Sequence, residues 1–232
     1  MDAETGKTIW KSRSLQDEGG YASPILITYN GHRKIVALTG NRIVGVNPEN
    51  GQIDWTFDDL GKEGSQYIVP TNTPLYKDGR IFTANGYGAG AFMLQLNEDA
   101  SGVRLLWRNK GFDPHHGCFV LVDGIIYGSS HGRNGLGKWM AVDWNTGQTR
   151  FEMNWGKGVG EGSVIAADGM LYCSDERRGM VGLVRVNPAK FDLVSFFRIT
   201  RGEGAFWAHP VIHRGILYVR HGNALMAYKI KG

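Results

Sequence analysis

Ser163-Val164-Ile165-Ala166-Ala167-Asp168-Gly169-Met170-Leu171-Tyr172-Cys173-Ser174 sets two short apolar runs on either side of Asp-Gly. An Asp-Gly step between such runs is a strong local signal for a tight β-hairpin, because both turn residues need positive φ. Val181 to Val186 is a third run and Leu193 to Phe197 a fourth, so the stretch reads as four short strands. The hairpin step recurs at Asp78-Gly79 and Asp123-Gly124, with Arg214-Gly215 as a variant. A second anchor is a turn glycine followed by a strand with a large aromatic: Gly6 leads to Trp10, Gly51 to Trp55, Gly102 to Trp107 and Gly147 to Phe151. Asp192-Leu193-Val194-Ser195-Phe196 keeps the aromatic without the glycine. The runs are rich in Val, Ile, Tyr and Phe, as strands prefer. No stretch of ten or more residues shows helical periodicity with caps.

Copies of about 46 residues with four strands each predict an all-β fold, a β-propeller of four-stranded antiparallel blades. A four-stranded sheet cannot bury both faces alone, and radial stacking buries each face against the next blade. The recurring aromatics then pack between neighbouring blades. The chain accommodates about five blades in one domain spanning residues 1–232. It opens on an outer strand, Lys7 to Trp10, and closes on three runs, Pro210 to Ile212, Ile216 to Arg220 and Ala224 to Ile230. Two arrangements fit: a ring whose last blade is completed by both termini, or the C-terminal part of a longer propeller.

Composition narrows the function classes. Apolar residues make up 42% and charged residues 21%, which excludes a disordered chain. The 34 glycines are roughly twice the usual share and lack collagen's spacing, so they mark turns. The net charge of +4 is dispersed, with no basic stripe for nucleic acid. No apolar run approaches the ~18 residues of a membrane helix. The opening MDAETGKTIW has no basic segment followed by an apolar one, so it does not read as a signal peptide. Cys118 and Cys173 form no metal or haem motif and read as buried thiols, with a disulfide the alternative.

Propeller geometry gives one face special status. The innermost strand of each blade starts there and the second ends there, so residues before strand one and after strand two converge on the axis. Aligning the copies on their hairpins, with a longer hairpin assumed for the first, gives an outer ring of Tyr21, Thr71, His116, Glu161 and Trp207. The inner ring is Ser23, Thr73, Cys118, Ser163 and His209. Loops after second strands add Asn85, Tyr87, His131, Arg133, Asp175, Glu176, Arg177, Arg220 and His221, and His115 adjoins His116. Different polar and aromatic residues at symmetric positions suggest an asymmetric mouth for a ligand; solvation of a channel mouth is the alternative. Histidine clusters bind metals or move protons, but histidines at turns also serve ordinary hydrogen bonds, and no metal ligand is assigned. Glu161 beside His116 could act as a base. Trp207 could stack on a sugar or quinone, or pack on Pro210. Arg220 could take a carboxylate ligand, or pair with Glu161 or Asp175. A lyase or hydrolase would need paired carboxylates, for which only Glu161 and Asp175-Glu176 qualify.

Asp2-Ala3-Glu4-Thr5-Gly6-Lys7-Thr8-Ile9-Trp10 and Asn47-Pro48-Glu49-Asn50-Gly51-Gln52-Ile53-Asp54-Trp55 resemble the pyrroloquinoline-quinone-like (PQQ-like) repeat, as does Asp143-Trp144-Asn145-Thr146-Gly147. The closing stretch, Trp207-Ala208-His209-Pro210 through Tyr218 to Leu225, resembles the last blade of bacterial proteins labelled alcohol or polyvinyl-alcohol dehydrogenases. The resemblance implies a periplasmic or secreted protein and two kinds of function. One is a scaffold that binds a protein, carbohydrate or small molecule at its axial mouth, as outer-membrane assembly lipoproteins of similar blade sequence bind partners. The other is a quinoprotein oxidoreductase with PQQ and calcium, which would place the ion among Glu161, Asp175, Glu176 and Asn85. The adjacent cysteine pair common in those enzymes is absent, and no haem motif is present.

Overall fold

A computed structural model describes residues 1–61, 69–131, 137–156 and 159–230. The strands form five antiparallel sheets, each a simple meander. The first holds β1 (Ile25–Tyr29), β2 (His32–Leu38), β3 (Ile43–Val46) and β4 (Ile53–Phe57). The second holds β5 (Leu75–Lys77), β6 (Arg80–Asn85), β7 (Gly90–Leu96) and β8 (Val103–Asn109). The third holds β9 (Phe119–Val122), β10 (Ile125–Ser129), β11 (Trp139–Asp143) and β12 (Thr149–Met153). The fourth holds β13 (Gly162–Ala167), β14 (Met170–Asp175), β15 (Met180–Arg185) and β16 (Asp192–Arg198). The fifth has three strands, β17 (Val211–His213), β18 (Ile216–His221) and β19 (Ala224–Lys229).

All five β-hairpins between first and second strands are two-residue turns. Their first residues, Asn30, Asp78, Asp123, Asp168 and Arg214, have φ of 48–50°, and each is followed by a glycine with positive φ. Blade one therefore does not have a longer hairpin. Thr71, His116, Glu161 and Trp207 each lie eight residues before their turn glycine, and in blade one that position is Ser23, so Ser23 takes the outer place and Tyr21 lies two residues beyond it.

Period-two alternation lets each inner strand serve two neighbours. On β6, Ile81 packs toward the first sheet with Ile27, Val36 and Trp55, while Phe82 packs toward the third with Phe119 and Met140. Tyr127 and Trp139 meet Val164 and Cys173 between the third and fourth sheets. Tyr172 and Val181 meet Leu217 and Val219 between the fourth and fifth. Both faces of the middle blades are thereby buried, as radial stacking requires.

The glycine–aromatic motif has a direct cause. Gly51 and Gly147 have φ of +76° and +73°, and each lies under the indole of the preceding outer segment. A Cβ on Gly51 would come within 2.3 Å of the Trp10 ring, and one on Gly147 within 2.4 Å of the Trp107 ring. The indole N–H donates to the same turn, Trp10 to Pro48 O at 2.8 Å and Trp107 to Trp144 O at 3.2 Å.

Two expectations are corrected. Lys7 to Trp10 is not the fourth strand of the last sheet. The N-terminal segment is tied to blade one instead, through Trp10 on the Gly51 turn and through Asp17, which accepts from Thr39 and Asn41 and pairs with Arg42 at 2.7 Å. Phe196 does not pack between blades and is 59% exposed. Its strand carries the same register shift as the others, but Ser195 takes the place beside the shift that Trp55, Trp107 and Phe151 occupy elsewhere. Trp155 fills the neighbouring space over Gly182.

Candidate functional site

The ends of strands one and two do converge, and the convergence is tightest across blades two, three and four. The strand approach Asp113-Pro114-His115-His116-Gly117-Cys118 crosses this region with Cys118 at φ +57°. Asn72, fully buried, holds it in place. Its Nδ2 lies 3.1 Å from Ala84 O, 2.9 Å from Pro114 O and 2.8 Å from His115 O, and its Oδ1 accepts from Cys118 N at 3.1 Å. The Thr71 hydroxyl also donates to His115 O. Gly117 is required by close approach, since a Cβ there would stand 2.1 Å from Gly162 O. Blades three and four are thus drawn together backbone to backbone.

Three imidazoles gather above this platform. The ring centroids of His115 lie 4.6 Å from His116 and 4.9 Å from His131. Tyr87, at φ +61°, stands edge-on to His115 and His131, with its hydroxyl 3.1 Å from His115 Nε2. His131 Nδ1 is bonded to Glu161 Oε1. The Glu161 side chain is only 3% exposed, and its Oε2 has no partner among the described residues. Glu176 N donates to Glu161 O at 3.0 Å, which places the two carboxylates side by side. His116 Nε2 lies 3.2 Å from Glu176 Oε2, yet the two are misaligned and neither atom makes a hydrogen bond. Trp207 stands 5.0 Å from the His116 ring, and His209 Nε2 lies 2.8 Å from His116 O.

Burial sets the electrostatics. Desolvation, with neighbouring imidazoles, lowers His116 to about 4, and desolvation also lowers His115. Both are therefore neutral at pH 7, so the His116–Glu176 contact is not an ion pair. Desolvation and the nearby Glu161 charge push Glu176 up to about 7. The Glu161 hydrogen bond raises His131, and a hydrogen bond to Cys118 raises His209.

Other assigned residues lie elsewhere or serve structure. Tyr21 and Ser23 are exposed, and only the Tyr21 backbone reaches the second blade, donating to Pro70 O at 2.8 Å. Thr73 is half-buried at the start of blade two. Ser163 is buried within its sheet opposite Ser174. Arg220 is exposed and bonds its own turn at Gly222 O, not Glu161 or Asp175. His221 bridges the carbonyls of Arg201 and Gly204, both at 2.8 Å, and stacks on Phe206. Arg133 lies outside the described residues. Both cysteines are free, with Cys173 buried and its thiol pushed up by desolvation. Asn72 escaped sequence reasoning; its only signal is an amide between two threonines just before a strand.

Among the described residues, the His, Cys, Asp and Glu ligand atoms that come together are those of His115, His131 and Glu161, so the carboxylates Asp175 and Glu176 do not join Glu161 in one ligand group. Calcium takes roughly six to eight oxygen ligands. Asn85 Nδ2 is directed at Leu60 O, Asp175 Oδ2 accepts from Arg177 and Arg178 N–H, and Glu161 and Glu176 face imidazoles, while Asn85 Oδ1, Asp175 Oδ1, Glu161 Oε2 and Glu176 Oε2 make no hydrogen bond among the described residues. A groove of about 730 Å³ at the hairpin-turn end, lined by Tyr29, Lys77 and Arg80, is remote from these groups.

The sequence profile of the family described as outer membrane protein assembly factor BamB matches residues 1–153. No curated protein matches the sequence. Among solved structures, BamB from Moraxella catarrhalis is similar with a TM-score of 0.68 at 17% identity, over 96% of this chain and 60% of that one. Quinohemoprotein alcohol dehydrogenase ADHIIG from Pseudomonas putida HK5 gives 0.61 at 16%, over 96% and 43%. Sqt1 of Saccharomyces cerevisiae gives 0.66 at 12%, over 88% and 58%. The chain thus spans about three fifths of the BamB structure's length, and likeness at these identities establishes the fold alone. No helix among the described residues is long and apolar enough to cross a membrane.

Proposed function

The chain belongs to the family of the outer membrane protein assembly factor BamB, and from that premise we propose that it is a binding scaffold, exported to the periplasm or secreted, whose axial mouth holds a ligand. One observation carries this reading. Trp207, 59% exposed, stands beside His116 at the edge of a cluster of half-buried and buried polar side chains, Tyr87, His115, His131, Glu161 and Glu176. A half-open indole next to buried polar groups is suited to stack an apolar ligand face while the cluster binds polar groups. A carbohydrate or other small polar molecule suits that combination. Titration with oligosaccharides, read by tryptophan fluorescence, should give saturable quenching that Trp207→Ala abolishes. Quenching unchanged by Trp207→Ala refutes the mouth as the site.

The fold likeness to a quinohemoprotein dehydrogenase supports a second reading, a PQQ-dependent oxidoreductase. The nitrogen-rich donor set speaks against it. The same titration with PQQ tests it, and calcium-dependent saturation would favour it over the scaffold reading.

A further inference from the structure

We propose that His115, His131 and Glu161 form a binding site for one divalent transition-metal ion of the zinc class, set at the base of the axial mouth. The inference rests on the mouth being a binding site and specifies what that site first holds. One ligand atom from each of the three residues falls within 4.8 Å of the other two. A tetrahedral ion with bonds of about 2.0–2.2 Å to nitrogen and oxygen needs these donors only modestly closer. The residues come from three separate segments: before β9, after β10 and before β13. The segments are anchored to blade two and to one another. Asn72 and Thr71 hold the His115 carbonyl, His131 N donates to Asp113 O at 3.1 Å, and Ser129 Oγ bonds Gly162 next to Glu161.

The unsatisfied chemistry of the cluster points to a cation. Glu161 is buried to 2% exposure, with Oε2 unpartnered among the described residues. His131 faces Oε1 and is raised by it, but an orphaned buried carboxylate oxygen such as Oε2 is costly. His131 bonds the other oxygen of Glu161, and the neighbouring carboxylate Glu176 also has an Oε2 that makes no hydrogen bond. The pair Arg177 and Arg178 following Glu176 is exposed, and the backbone N–H of each is turned to Asp175. A metal ion placed among the three donors would satisfy Glu161 and displace the proton shared between His131 and Glu161.

Two imidazoles and one carboxylate select zinc-like ions over calcium or magnesium. Three protein ligands leave a fourth position for water or for an oxygen of the mouth's ligand. Tyr87, with its hydroxyl 3.1 Å from His115 Nε2, is placed to orient that ring.

The test uses the full chain stripped with EDTA and titrated with Zn²⁺ against a chromophoric chelator, and with Co²⁺ read by visible absorption. The expected result is one equivalent bound, with a Co²⁺ spectrum of a low-coordinate nitrogen and oxygen site. His131→Ala and the isosteric Glu161→Gln should each weaken zinc at least 10-fold, while His221→Gln, a histidine outside the cluster, should not. The wild-type Co²⁺ spectrum decides the matter even if a variant misfolds. No uptake, calcium preferred over zinc, an octahedral all-oxygen spectrum, or equal affinity in Glu161→Gln each overturn the proposal. Oligosaccharide quenching through Trp207 in EDTA would separate failure of the metal site from failure of the mouth.

Discussion

Gly147 and Gly169 share the same backbone φ, +73°, but only Gly147 carries an indole above it. Alanine at Gly169 meets nothing within 4 Å, so its cost is conformational, roughly 1–2 kcal/mol for a left-handed L-residue. Alanine at Gly147 pays the same strain and also drives a Cβ to within 2.4 Å of the Trp107 ring. Overpacking of that kind adds typically 1–3 kcal/mol. For a chain of this size each kcal/mol lowers Tm by about 2–4 °C. Thermal unfolding followed by circular dichroism should therefore place Gly147→Ala about 2–12 °C below Gly169→Ala. In a Trp107→Leu background the two glycine substitutions should cost nearly the same, because the clash is gone. Equal losses in the Trp107-containing protein would refute the idea that the glycine serves as the seat of the preceding blade's tryptophan.

Asn72→Ala removes the amide that holds the strand approach of blade three and orphans buried backbone groups at Ala84, Pro114 and Cys118; a loss of about 2–4 kcal/mol in chemical denaturation is expected, at about 1–3 per orphaned group with partial relaxation. A change below measurement error would show that water replaces it. In EDTA, Glu176 titrates near 7 in the fold against 4.5 unfolded, so the unfolded chain releases its proton first and stability falls as pH climbs between those values. Glu176→Gln cannot ionise, so its Tm relative to the parent chain should rise across that window and level off above it, and a flat difference from pH 4 to 8 refutes the assignment. Phe196→Ala should change stability by no more than about 0.5 kcal/mol, because the ring is exposed; a larger loss would restore it to the packing between blades.

The fold was legible because its signals are local. Each Asp-Gly or Arg-Gly hairpin needs two positive φ values in a row, and two adjacent residues specify them. The four-strand grammar then follows from runs whose alternate residues face opposite neighbours, as Ile81 and Phe82 do. Legibility failed where one residue of register decides the outcome. Phe196 sits one position past the register shift, so an aromatic present in the pattern points away from the place the pattern assigns. Ser23 is displaced because matching Ser23-Pro24 to Thr73-Pro74 and His209-Pro210 sets blade one two residues out of step with its Asn30-Gly31 turn.

The site divides along the same line. Which ends of which strands converge follows from topology, and that placed His115, His116, His131, Glu161 and Trp207 together. Which of them touch depends on how closely neighbouring blades approach, and that is set by groups with no chemistry of their own. Gly117 lets blade three lie against Gly162 of blade four, and Asn72 of blade two takes up the carbonyls that this approach leaves exposed. Together with the Thr71 hydroxyl on the His115 carbonyl, they fix where His115 stands relative to Glu161. Blades one and five have close backbone approaches of their own, Gly20 against Leu38 O and Gly202 against His221 O, but their candidates Tyr21, Ser23 and Arg220 stay in solvent. The buried cluster is therefore a property of blades two to four, with Trp207 and His209 of blade five set against His116 at its edge, rather than of a symmetric ring. Its asymmetry is what separates the buried carboxylates on one side from the open indole on the other.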